Sequence, residues 1–221
     1  MEYKIFPLSD SAITIDFGNV IDEKINDKVM QLFRLCTENP FIGMVEAMPA
    51  YASLTIFYDV LNVRNANTSY KTAFSFVENY LTKILQSIDS HAKSHLRLIE
   101  IPVIYDGEDL AFVAESNNLS IEEVIEIHTT PTYRVFMMGF LPGFAYMGGL
   151  DARIATPRKA TPRTKVPAGS VGIAGNQTGI YPSESPGGWQ LIGRTELQLY
   201  TPNLPEITLL KAGDLIKFVK I

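Results

Sequence analysis

The sequence holds few of the residues that reactive chemistry most often uses. Cys36 is its single cysteine, so no intramolecular disulfide can form, and its place among Leu32, Phe33 and Leu35 marks a buried structural thiol rather than a nucleophile. There are three histidines. His91 and His95 could share a helical face but have no third ligand, so no metal site is expected. His128 ends a predicted helix, where the dipole favours a cation, and a structural role there weighs equally with proton transfer. No apolar run reaches the length of a membrane span, and the start, MEYKIFPLSDSAITIDFG, lacks the basic start and continuous apolar run of a signal peptide. A soluble, cytoplasmic protein is expected. A net charge of −5 disfavours general nucleic-acid binding, and neither G-x-x-x-x-G-K-[ST] nor G-x-G-x-x-G occurs, which excludes the common phosphate loops.

What is present is unevenly distributed. The first part alternates strands and helices. Ile13, Ile15 and Phe17 alternate with polar residues as in a half-buried strand, and Ile21, Ile25, Val29, Leu32, Phe33 and Cys36 then recur at helical spacing before Pro40. Residues 42–48 and 52–58 read as two strands, and Tyr70 to Ile88 as a second helix, giving the order β-α-β-β-α. A strand from Leu96 to Ile104 either completes this split βαβ sandwich or opens the next domain. Ser120 and Glu123 form a candidate capping box ahead of a helix from Ile121 to His128. Beyond it, short strands at Tyr133–Met138, Ser170–Ala174, Gln190–Ile192, Gln198–Tyr200 and Leu215–Val219 are separated by glycine or proline, the pattern of a closed or nearly closed β-structure. Two domains are expected, residues 1–92 and 93–221.

Eleven of the fifteen glycines fall between Gly139 and Gly193, together with the only tryptophan, Trp189. Five basic residues, Arg153, Arg158, Lys159, Arg163 and Lys165, lie between Asp151 and Glu184 with no acid among them. Arginine offers a planar fork of donors to carboxylate or phosphate, so converging members of this run would hold an acidic substrate or a nucleotide; the alternative is a solvated basic edge. Gly172, Gly175, Gly179, Gly187 and Gly188 either bring backbone amides close to a ligand or serve tight β-turns. Ala168-Gly169-Ser170-Val171-Gly172 imitates a nucleophile elbow without its strand-turn-helix setting, so Ser170 reads as a turn residue. Trp189 covers a planar ligand or plugs the barrel.

The segments LSIEEVIEIHTTPTYRV, FMMGFLPGFAYMGGLDARIATPR and VPAGSVGIAGNQTGIYPSESPGGWQLIGRT closely resemble the 5-oxoprolinase B-subunit family, also described as allophanate hydrolase subunit 1-like, which includes KipI-type inhibitors of sporulation histidine kinases. The resemblance is strongest over residues 97–221, and DSAITIDFGNVIDEKINDKV and YASLTIFYD fit the family's N-terminal region more loosely. It implies an α+β protein, with a ferredoxin-like N-terminal domain followed by a cyclophilin-like β-barrel. It also implies ATP-dependent opening of 5-oxo-L-proline to L-glutamate, carried out with partner proteins of the C-subunit and A-subunit types. The alternative activity is inhibition of a histidine kinase, and a role in urea or allophanate metabolism ranks below both. One departure stands out: the family's glycine-containing loop after the strand in IPVIYDGEDL is shortened here between Asp106 and Leu110. On residue chemistry, Arg158 and Arg163 are expected to bind carboxylate or phosphoryl oxygens with Arg194 nearby. Gln177 and Tyr181 would orient the lactam, Trp189 would contact the substrate, and His128 would relay a proton.

Overall fold

Alternation of buried and half-exposed side chains in Ser53–Tyr58 makes this segment the natural centre of a sheet with one face covered. In the computed structural model, which describes residues 2–88 and 97–221, it is β4 of a four-stranded antiparallel sheet. The other strands are β1 (Lys4–Ser9), β2 (Ala12–Asp16) and β3 (Met44–Pro49), in the order β1-β2-β4-β3. One face of the sheet carries α1 (Glu23–Glu38) and α3 (Ala73–Ser87), and the short α2 (Val60–Ala66) follows β4. Ile25, Val29, Leu32 and Cys36 of α1 meet Val77 and Leu81 of α3 over Ile13, Ile15, Leu54 and Ile56. Each helix starts on a side-chain cap, Asp22 for α1 and Thr72 for α3, which satisfies amides that the first turn leaves unpaired. Cys36 is buried in this core, and burial pushes its thiol up to about 11, so it stays protonated and unreactive at neutral pH.

Of the two places left open for the strand from Leu96 to Ile104, the structure has the second, at the start of the next unit. As β5 (Leu98–Val103) it pairs in parallel with β13 (Leu215–Lys220), at the edge of a seven-stranded sheet. The fourth strand of the first sheet is instead β1, formed by residues that carry no strand pattern. The seven-stranded sheet runs β12-β9-β10-β7-β6-β13-β5, its other members being β6 (Tyr133–Met138), β7 (Ala145–Gly148), β9 (Ser170–Ala174), β10 (Gln177–Ile180) and β12 (Gln190–Arg194). Its two edges come together just past β5. There Ile104 and Arg194 exchange two backbone hydrogen bonds of 2.9 Å, and Gly107 and Asp109 donate to the carbonyls of Ile192 and Leu191. The result is a nearly closed barrel. Its interior is filled by Ile101, Tyr133, Val135, Met147, Val171, Ile173, Ile192, Ile216 and Phe218. Two helices, α4 (Leu110–Ser116) and α5 (Ile121–Thr129), add Val113, Val124 and Ile127 to the same core. The capping box read at Ser120 and Glu123 is present at the start of α5. A two-stranded ribbon, β8 (Arg163–Val166) with β11 (Ser185–Gly187), completes the architecture.

The two sheets define two compact units, Met1–His95 and Leu96–Ile221, with separate cores. The overall class is mixed α and β. Residues 198–200 form no strand; Tyr200 makes only an isolated bridge to Thr208. His91, His95 and the expected boundary between residues 92 and 93 lie outside the described residues. No described helix is long and apolar enough to cross a membrane.

Candidate functional site

Strands β9 and β10 sort their side chains between two faces. Val171, Ile173, Thr178 and Ile180 point into the barrel, while Gly172 lies opposite Gly179 on the outer face. These two glycines make room for an indole. A Cβ on Gly179 would stand 3.1 Å from Trp189 Cζ3 and 3.0 Å from the Ala145 carbonyl, and one on Gly172 would stand 3.1 Å from Trp189 Cβ. Trp189 therefore lies against bare backbone, only 4% exposed. Phe144, Tyr146 and Tyr181 surround it, with Phe144 edge-on to both Trp189 and Tyr181 at 5.5 and 5.4 Å between ring centres. This aromatic cluster, with Val166, Ala174 and Leu191, is a satellite core on the outer wall of the barrel.

The basic run borders this cluster, and most of it is already paired. Asp109, buried at the start of α4, accepts from Lys159 Nζ at 2.9 Å, from Arg163 Nη2 at 2.5 Å and from the Leu191 amide at 2.7 Å. Burial alone would raise its carboxyl; the Leu191 amide and the two basic side chains outweigh that and hold it below the usual carboxylate range. Arg163 also pairs through Nε with Glu108 and donates Nη1 to the Trp189 carbonyl, so every edge of its guanidinium is engaged. Arg194 pairs with Asp106 at 2.9 Å. The short Asp106–Asp109 turn thus supplies the counter-charges for Lys159, Arg163 and Arg194. Arg153 pairs with Asp151 and Lys165 with Glu184.

Among the described residues of this basic set, Arg158 alone has no carboxylate partner. Its backbone is clamped on both sides: Gln190 Nε2 donates to the Pro157 carbonyl at 2.8 Å, and the Lys159 amide donates to the Gly188 carbonyl at 2.7 Å. The exposed guanidinium lies over the Trp189 ring, 5.8 Å from its centre. Burial raises the Tyr181 phenol, and the Trp189 amide, Arg158 and Arg163 act against that rise, which places both arginines within electrostatic reach of the hydroxyl.

Beside Tyr181 stands Phe140. Its φ is +70°, and the Leu141 amide donates to the Gly139 carbonyl at 2.9 Å across it. That bond closes a γ-turn of the rarer kind, with positive φ at its centre. The conformation is strained for a bulky side chain and costs on the order of 1–3 kcal/mol. The turn projects the Phe140 ring outward, 59% exposed, and edge-on to Phe144 and Tyr181 at 5.5 and 6.5 Å.

The expected site residues separate accordingly. Arg158, Arg163, Tyr181 and Trp189 are brought together. Gln177, half-buried at the start of β10, shares the sheet face of Gly179. Arg194 sits at the far end of β12, about five residues of extended chain, roughly 17 Å, from Trp189. His128 lies on the other side of the wall, in the barrel core with no exposed surface. The Thr178 hydroxyl donates to the Gly172 carbonyl at 3.0 Å, so its oxygen accepts from His128 Nε2–H at 2.9 Å, and Nδ1 then accepts from the Tyr105 hydroxyl at 2.7 Å. Burial lowers the imidazole to about 3, so it is neutral at physiological pH. Ser170 is buried, its carbonyl accepting from the Tyr181 amide. Among the described residues no group of three or more histidine, cysteine or acidic side chains could hold a metal ion. The acids of DGED and the Phe140 turn are not picked out by the sequence reading, although three acids within four residues are a signal that the basic run has partners.

Residues 3–210 match the family described as carboxyltransferase domain, subdomain C and D. The protein of Bacillus subtilis named as the B subunit of 5-oxoprolinase is 48% identical over the whole of this chain and 94% of its own length. Its namesake in Escherichia coli O157:H7 is 36% identical over 98% of this chain and 95% of its own. Among solved structures, the protein designated TTHA0988 superposes with a TM-score of 0.82 at 35% identity, over 95% of this chain; the chain spans about 40% of that larger protein. With identity sustained from end to end, the chain belongs to the 5-oxoprolinase B-subunit family.

Proposed function

We propose that this chain is the B subunit of an ATP-dependent 5-oxoprolinase, which opens 5-oxo-L-proline to L-glutamate in a complex with proteins of the C-subunit and A-subunit types in the cytoplasm. The observation that carries this reading is the 48% identity, across the entire chain, to a protein named as that same component of 5-oxoprolinase. The finer architecture follows the same relationship. The first unit is a ferredoxin-like sandwich whose edge strand is supplied by β1, a reading supported by the order β1-β2-β4-β3 under two helices. The second is a cyclophilin-like barrel. That likeness carries no isomerase activity with it, because a shared architecture does not transfer a site.

The lactam amide resists hydrolysis through resonance. Transfer of the γ-phosphoryl group of ATP to the lactam oxygen, with ADP leaving, breaks that resonance; water then adds at the carbon, the ring C–N bond opens as the nitrogen takes a proton, and a second water cleaves the resulting acyl phosphate to the glutamate carboxylate and free phosphate. This chain's part is to present charge and shape. Arg158 receives the substrate carboxylate, since it is the member of the basic set whose guanidinium is exposed and unmatched by an acid. Arg163 and Lys159, tied to Asp109, fix the wall from which Arg158 projects. Tyr181 and Trp189, both buried, support it from beneath, Gln177 faces the same side, and Arg194 and His128 hold the barrel together at other points.

Reconstitution tests the reading. Purified chain with its two partner proteins, 5-oxo-L-proline and ATP should yield glutamate, and omission of this chain should abolish it. Arg158→Ala should raise KM for 5-oxoproline about 10- to 100-fold, the worth of one charge-assisted hydrogen-bonded contact. An unchanged KM in a folded variant removes Arg158 from the site. Glutamate formation that does not need this chain returns it to a regulatory role, for which kinase autophosphorylation with and without the chain is the assay.

A further inference from the structure

We infer that Phe140 is a specificity-determining wall of the substrate site, packing against the apolar ring carbons of a small cyclic carboxylate whose charge is held at Arg158. The inference rests on the 5-oxoprolinase reading and extends it to a residue that chemistry-bearing side chains alone would not nominate.

A γ-turn with positive φ is unfavourable for any residue with a Cβ and more so for an aromatic one, and glycine would adopt it freely. The turn is flanked by Gly139 and followed by Gly143, so the chain has glycine on both sides of the one position that needs it most, and carries phenylalanine there. The phenylalanine gains little by packing, because more than half of its surface is exposed. A strained conformation that sets a large apolar ring in solvent is accounted for when something else covers the ring.

Placement identifies the occupant. Phe140 touches Tyr181 edge-on, Tyr181 lies within the field of Arg158, and Arg158 lies over Trp189. The exposed Phe140 ring and the exposed, unmatched Arg158 guanidinium therefore both rest on one buried aromatic cluster, that of Phe144, Tyr181 and Trp189. A five-membered ring with a single carboxylate and two methylenes fits those two demands, whereas a nucleotide would need further donors for its phosphates.

The test compares Phe140→Gly, Phe140→Ala and Phe140→Leu in the assembled three-component enzyme, with melting temperatures measured on the chain alone. Phe140→Gly relieves the turn, so its melting temperature should equal or exceed that of the native chain, while KM for 5-oxo-L-proline rises about tenfold or more and KM for ATP stays within twofold. Phe140→Leu, which restores apolar bulk, should recover most of the KM. Unchanged KM for 5-oxoproline in an active Phe140→Gly complex overturns the inference and leaves the function intact. A KM that returns to normal when the partner proteins are raised in concentration also overturns it, because Phe140 would then be a contact for a partner. Absence of glutamate from the native complex removes the functional reading and this inference together.

Discussion

At the scale of single residues, burial decides which titratable groups serve the fold and which face outward. His128 is neutral in the native state because burial depresses its pKa to about 3, whereas in the unfolded chain it titrates near 6.5. Between those values the unfolded state binds the additional proton, so stability rises with pH through this window and is lost as pH falls. His128→Gln should flatten that dependence: the difference in slope between native and variant protein, from urea unfolding at pH 7 to 4.5, should approach about 1.4 kcal/mol per pH unit. Asp109 acts in the same direction but only below about 4, where the carboxyl of the unfolded chain begins to bind a proton that the native carboxyl, held lower, does not yet take up, so the two windows separate. Equal slopes in the two proteins would mean that His128 is charged in its core site. The sequence shows the residue types of the candidate site well and their pairing poorly. The basic run, Trp189 and Tyr181 stand out by composition, but the acids that neutralise Lys159, Arg163 and Arg194 come from a turn some 50 to 90 residues earlier, and only tertiary structure brings them opposite.

At the scale of elements, strands long enough to show a period are legible and the shorter ones are not. β2, β4, β6, β9 and β13, each five or six residues, coincide with segments read from alternation or apolar runs. β8, β10 and β11, of three or four residues, carry too few positions for a period of two. β1 hides for another reason. It is an edge strand with one neighbour, nearly all of it is exposed, and Pro7 interrupts it where a missing amide is tolerated. The facing glycines of β9 and β10, ambiguous in the sequence between ligand approach and turns, leave the space that the Trp189 side chain fills. Gly179→Val should therefore displace Trp189, lowering stability by about 1–3 kcal/mol and shifting the single tryptophan's emission to longer wavelength. Native emission from a stable Gly179→Val protein would show that the indole does not rest on this strand pair.

At the scale of the whole molecule, the undecided strand after residue 96 settles how the chain is partitioned. β5 gives Ile101 and Val103 to the barrel core, runs in parallel with β13 from end to end and leads into the turn that closes the barrel against β12 and carries Asp106, Glu108 and Asp109. Every residue of that core lies between Ile101 and Phe218, and the core of the first unit contains none of them. A fragment comprising residues 97–221 should accordingly fold by itself, since it retains a complete core, all seven strands and the ion pairs beneath Arg158. A fragment of residues 105–221 should not. Without β5, β13 becomes a sheet edge with Phe218 uncovered, and Arg194 loses the partner strand that closes the barrel. Far-ultraviolet circular dichroism with Trp189 emission distinguishes the two outcomes: the longer fragment should unfold in urea as a single transition with a buried tryptophan, and the shorter one should show exposed emission without denaturant. Folding of the shorter fragment would assign β5 to a linking role between the units rather than to the barrel wall.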